Sequence, residues 1–100
     1  MATKEHISVH CCINAAGNAL PPMIIFTNTL PGGPINATYA CSDSGFMDQY
    51  LYFQWFEIVF LQYAVPQRPL LLIQDGALSH VSVPLIRSAV ANDVILLYLP

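Results

Sequence analysis

The sequence predicts an α/β domain, and three observations carry that prediction. Two short runs are apolar without interruption, Leu70–Ile73 (LLLI) and Val94–Leu99 (VILLYL), as in strands covered on both faces. Helix signals lie between them, and a strand–helix–strand unit favours a parallel pair with a right-handed crossover. Near the start, two β-rich segments flank a turn signal and read as an antiparallel hairpin.

The first strand is His6–Asn14 (HISVHCCIN), rich in β-formers and partly alternating. Ala15-Ala16-Gly17-Asn18 is the turn, because Gly17 and Asn18 both tolerate positive φ. Pro21-Pro22 leads into the second strand, Met23–Thr27. The double proline cannot donate ladder hydrogen bonds, so an irregular register is expected. Asn28–Ser44 is rich in breakers and reads as a loop, with a short strand near Ala37–Cys41; long loops in small domains are usually functional or disordered.

Asp48 is placed to cap a helix. Tyr52, Trp55, Phe56, Val59 and Tyr63 follow at i, i+3, i+4, i+7 and i+11, which puts them on one face. Gln54, Glu57 and Gln62 leave only a thin polar side, so cover on more than one side is expected. Pro66 and Pro69 end this helix. After LLLI come Gln74-Asp75-Gly76. Ser82 or a neighbour then caps a second helix with Pro84 early in it and Leu85, Ile86, Ala89 and Val90 as its apolar side. Asn92-Asp93 stops it before VILLYL. The whole order is hairpin, loop, helix, strand, helix, strand.

The chain has 100 residues, enough for one small domain, residues 1–100. It is 55% hydrophobic and 9% charged. That apolar content argues against disorder, and the scarcity of charge argues for limited solubility. Three Lys plus Arg against six Asp plus Glu give a formal charge of −3. Lys4, Arg68 and Arg87 are scattered, whereas nucleic-acid-binding modules cluster their cations against phosphates. The polar start MATKEH lacks the apolar region of a secretory signal, so Cys11, Cys12 and Cys41 are expected to be reduced and intracellular. On the same ground Asn36-Ala37-Thr38 is read as a chance match to a glycosylation sequon. Leu51–Val65 is too short and too polar for a membrane span of about 20 residues, and no membrane partner is expected.

Functional groups of open α/β sheets gather at the carboxyl ends of the strands, and Asp75 stands there. Such an aspartate can bind Mg²⁺, which takes one or two carboxylates together with phosphate oxygens and water. It can equally cap the turn that follows with its own side chain. Gly76 allows a sharp turn and leaves room for a ligand.

The segments HISVHCCINAAGNALPPMIIF, GFMDQYLYFQWF, RPLLLIQDGALSH and NDVILLYLP occur here in an order that resembles the central part of a DDE superfamily endonuclease domain. The similarity is greatest to the pogo/Tigger-type transposases and host proteins derived from them. It rests on the combination of a Gly-x-x-Leu-Pro-Pro hairpin, a Trp-containing helix and an apolar strand ending in Asp-Gly.

The resemblance implies a ribonuclease H-like mixed sheet, DNA as partner, a nuclear location, and Mg²⁺ or Mn²⁺ as cofactor. In that family three acids hold two metals that promote in-line attack on a phosphodiester. Asp75 matches the second acid, which makes it the catalytic and metal-binding residue here. His80 matches a histidine common in the family's Asp-Gly segment, so Gly76 and His80 are candidate site neighbours; a hydrogen-bonded structural role for His80 is the alternative. Ala77 departs from the His or Asn often seen at its position, which favours a degenerate copy. The first acid would precede His6 and the third would follow Leu99-Pro100. The chain is therefore expected to be a central fragment, lacking the first central strand and the C-terminal helices. One carboxylate makes a poor two-metal site, so these residues alone are expected to be inactive. Unpaired strand edges would make the chain unstable or drive self-association.

Competing readings carry less. Asp75, Ser79 and His80 include the residue types of a hydrolase triad, but no Gly-x-Ser-x-Gly elbow exposes the serine. His6, His10, Cys11, Cys12 and Cys41 could suggest zinc, but adjacent strand cysteines face opposite ways and no Cys-x-x-Cys pair exists; buried, inert thiols are expected. Asp43 reads as loop, Asp48 and Asp93 as cap or turn residues, and Glu57 as the polar side of its helix. Two functions follow: a piece of a transposase-like, metal-dependent DNA endonuclease, or a non-catalytic transposon-derived domain that associates with DNA or protein.

Overall fold

Local chemistry dictates most of the elements in the computed structural model, which describes residues 6–27, 37–77 and 80–100. The chain divides into two compact units, Met1–Met47 and Asp48–Pro100. In the first, β1 (Ser8–His10) pairs antiparallel with β2 (Met23–Thr27), and β2 pairs in parallel with β3 (Thr38–Ser42). The hairpin forms as expected, but its first strand is three residues long where the sequence predicts His6–Asn14. Gly17 adopts φ +88°, and Asn14 receives its own turn through the backbone N–H of Asn18, which donates to Asn14 Oδ1 at 2.9 Å. Its register is also irregular: Ser8 pairs with Ile25 and His10 with Met23, whereas Ile13 bridges Ala19, one residue out of step. Pro21 and Pro22 lie between those two registers and can donate to neither.

The strand expected near Ala37–Cys41 forms as β3, but its parallel pairing with β2 was not legible from its composition. Gly45 is needed beside it, because a Cβ there would lie 2.1 Å from the carbonyl oxygen of His6 and its φ is +77°. The expectation for Asn28–Asn36 lies outside the described residues.

In the second unit, α1 (Gln49–Trp55) runs into a π-helical stretch, Phe56–Phe60, and ends in the turn α2 (Leu61–Tyr63). Asp48 caps α1 as expected, accepting from the Leu51 N–H at 2.8 Å. Leu51, Tyr52, Trp55, Phe56, Val59 and Phe60 are buried. Tyr63 is not: it is 55% exposed, against the expectation from its spacing. A π turn advances each residue by about 80° instead of about 100°, so five such residues rotate Tyr63 off the face that Phe60 joins.

The strands β4 (Leu70–Asp75) and β5 (Val94–Leu99) pair in parallel and are linked by α3 (Val83–Ala91). Ser82 caps α3, accepting from the Leu85 N–H at 3.3 Å, and Pro84 sits in its first turn. Leu85 and Ala89 are buried, whereas Ile86 and Val90 of the expected apolar side are exposed. Asp93, at φ 55°, ends the helix as one of the residue types that tolerate the left-handed region. Arg68 ties the preceding loop to that end through Nε–H to the Asn92 carbonyl at 2.8 Å and Nη1–H to the Val65 carbonyl at 2.7 Å.

Two expectations need correction. Among the described residues the strands form two sheets, in the orders β1-β2-β3 and β4-β5, where a single mixed sheet was expected. The apolar runs of β4 and β5 are also not covered on both faces. Leu72, Gln74 and Val94 are buried, while Leu71, Ile73, Ile95, Leu97 and Leu99 are exposed. An apolar run records only that both faces are apolar; Tyr52 of α1 reaches Gln74, and α3 packs on β5, so both helices serve the Leu72–Gln74 side.

Candidate active site

Asp75 is the last residue of β4, paired across the sheet with Leu99. Strand alternation turns it to the opposite face from Gln74. Its side chain is 70% exposed. The Oδ1 atom accepts from the Ala77 N–H at 3.1 Å, so the carboxylate does cap the turn after the strand. His80 Nδ1 lies 2.9 Å from the same oxygen. Among the described residues Oδ2 has no hydrogen-bond partner, which leaves one oxygen facing solvent.

A Cβ at Gly76 would lie 2.8 Å from the Leu99 carbonyl oxygen. The glycine therefore permits close approach of the two strand ends. Beyond it the loop folds back, with the His80 N–H donating to the Ala77 carbonyl at 2.9 Å and the Tyr98 hydroxyl donating to the His80 carbonyl at 2.9 Å.

His80 is largely buried, its side chain 14% exposed. Its ring stacks on Tyr52, with centroids 4.3 Å apart and planes 26° apart. The Tyr52 hydroxyl donates in turn to Gln74 Oε1. Gln74 is the buried polar residue of this strand and pairs across the sheet with Tyr98. Burial pushes the Tyr98 phenol above its ordinary value, and a hydrogen bond with Gln74 partly offsets that. Tyr52, Gln74 and Tyr98 were not singled out from the sequence. The available signal was one amide at an inward position of an otherwise apolar strand, since a buried polar group demands a partner.

The remaining candidates do not join this cluster. Asp43, Asp48, Glu57 and Asp93 are exposed; Asp48 caps α1, and Glu57 accepts from the Ser88 hydroxyl at 2.9 Å. Ser79 lies outside the described residues. The thiols are free, and two differ from the expectation of burial: Cys11 and Cys41 are exposed. Only Cys12 is half-buried, and its burial raises the thiol pKa. Cys11 and Cys12 lie just beyond β1, and Cys41 occupies the outward position of β3.

A solvent-open carboxylate oxygen suits a hard divalent cation, so Asp75 fits as one donor to Mg²⁺ or Mn²⁺. Among the described residues no group of three His, Cys, Asp or Glu is placed to hold an ion. The further donors of a two-metal centre are thus not supplied by these residues. None of the described helices is long and apolar enough to cross a membrane.

An acid at the carboxyl end of a parallel strand, backed by a packed histidine, is an arrangement suited to metal-assisted chemistry. Residues 4–100 match the family described as DDE superfamily endonuclease, and the chain belongs to that family. No curated protein and no solved structure matches the chain.

Proposed function

We propose that this chain is the central part of a ribonuclease H-like, transposase-type DNA endonuclease domain of the pogo/Tigger kind, with Asp75 as one of its metal-binding, catalytic carboxylates. The supporting observation is Asp75 itself: an acid at the end of β4 with one oxygen held by the loop and the other open to solvent. Family membership over residues 4–100 supplies the chemistry to which that geometry is suited. Bound divalent ions would activate a water or 3′-hydroxyl and stabilise in-line displacement at a DNA phosphodiester.

The chain's own residues would do three things. Asp75 offers a hard anionic oxygen, the Ala77 N–H and His80 fix its carboxylate plane, and Gly76 holds the end of β4 against β5. The few scattered cations mean that DNA contact would rely on metal charge and on other parts of the protein. Partner and nuclear location follow from this reading.

Metal binding at Asp75 can be measured on the chain directly. In a Mn²⁺ titration followed by NMR, the amide signals of Gly76 and Ala77 should broaden first, and Asp75→Asn should remove the effect. Equal broadening in Asp75→Asn, or first broadening elsewhere, would contradict the assignment.

A further inference from the structure

The side chains beneath Asp75 form a continuous path from a helix to the carboxylate. Tyr52 is 2% exposed and belongs to α1. Its hydroxyl donates to Gln74 Oε1. One face of that ring lies against His80 at 4.3 Å, and His80 Nδ1 lies 2.9 Å from Asp75 Oδ1. The His80 backbone is fixed from the other side by the Tyr98 hydroxyl at 2.9 Å. Gln74 neighbours Asp75 in sequence but faces the interior, so this path approaches the carboxylate from below the sheet while the carboxylate faces solvent.

We propose that Tyr52 is a positioning residue for Asp75, acting through His80: its ring sets the imidazole plane. With Oδ1 held by the Ala77 N–H at 3.1 Å and the imidazole Nδ1 2.9 Å from the same oxygen, Oδ2 is presented in one orientation. Groups that orient a metal ligand from behind in this way change metal affinity without touching the ion. The metal part of this inference rests on the proposed role of Asp75; the His80 part does not.

The test uses the labelled chain and the variants Tyr52→Phe, which keeps the ring, and Tyr52→Leu, which removes it. Trp55 fluorescence reports whether each remains folded. In the wild type, the His80 ring protons should show the upfield shift of a stacked ring. Tyr52→Phe should keep that shift. Tyr52→Leu should lose it and weaken Mn²⁺ binding about tenfold. Unstacked His80 shifts in the folded wild type would overturn the proposal whatever the variants do. So would a folded Tyr52→Leu variant with unchanged His80 signals. If the His80 signatures behave as stated but Mn²⁺ never affects Gly76 or Ala77, the positioning path stands and the metal role of Asp75 falls.

Discussion

At the scale of single residues, the turn after β4 is held by what Gly76 lacks. Adding one methyl group there would place a carbon 2.8 Å from the Leu99 carbonyl oxygen, a backbone atom that can move only with its strand. Gly76→Ala should therefore destabilise the chain by about 1–3 kcal/mol, the usual cost of forcing an extra carbon into a packed place; urea unfolding measures it, and an unchanged midpoint would contradict the contact. Asp75 and His80 were visible in the sequence as chemistry-bearing types, one after an apolar run and one five residues later. Their 2.9 Å approach was not. It depends on the loop hydrogen bonds from Ala77, His80 and Tyr98, and spacing alone does not encode those.

Elements show a similar division. Asp48 and Ser82 are legible caps because short oxygen-bearing side chains satisfy otherwise orphaned N–H groups. The π stretch at Phe56–Phe60 was not legible, because a helical pattern does not announce an extra residue per turn, and the displaced Tyr63 was misplaced for that reason. The contact of α1 with β4 centres on Tyr52 and Gln74. Tyr52→Phe should cost about 1–3 kcal/mol by stranding the buried Gln74 oxygen, and adding Gln74→Leu should recover part of it by removing the unsatisfied group. A double-mutant cycle from chemical denaturation would show this as non-additivity; simple additivity would mean that the two groups do not interact. On β5, the raised Tyr98 pKa means that the folded chain holds the phenolic proton more tightly than the unfolded chain. That contribution is fully present below the ordinary tyrosine pKa of about 10 and is lost as pH rises through the higher folded value. Stability should accordingly fall more steeply with alkaline pH in the wild type than in Tyr98→Phe, as read by melting at stepped pH.

For the whole molecule, α/β character and element order followed from apolar periodicity, and family membership agrees with the motifs that carried the resemblance. Division into two sheets did not follow, since strand composition says nothing of which edges meet. Neither did the open face of β4 and β5, where Leu71, Ile73, Ile95, Leu97 and Leu99 stand in the same direction as Asp75. An apolar row beside a solvent-open acid suits a site completed by elements other than these strands. The most direct measurement is plasmid nicking by the longest natural product that contains this chain, with Mn²⁺ or Mg²⁺ and with Asp75→Asn alongside. The account predicts metal-dependent nicking that falls at least about 100-fold in the variant, as expected when a metal carboxylate is lost. Nicking of equal rate in both proteins would contradict it.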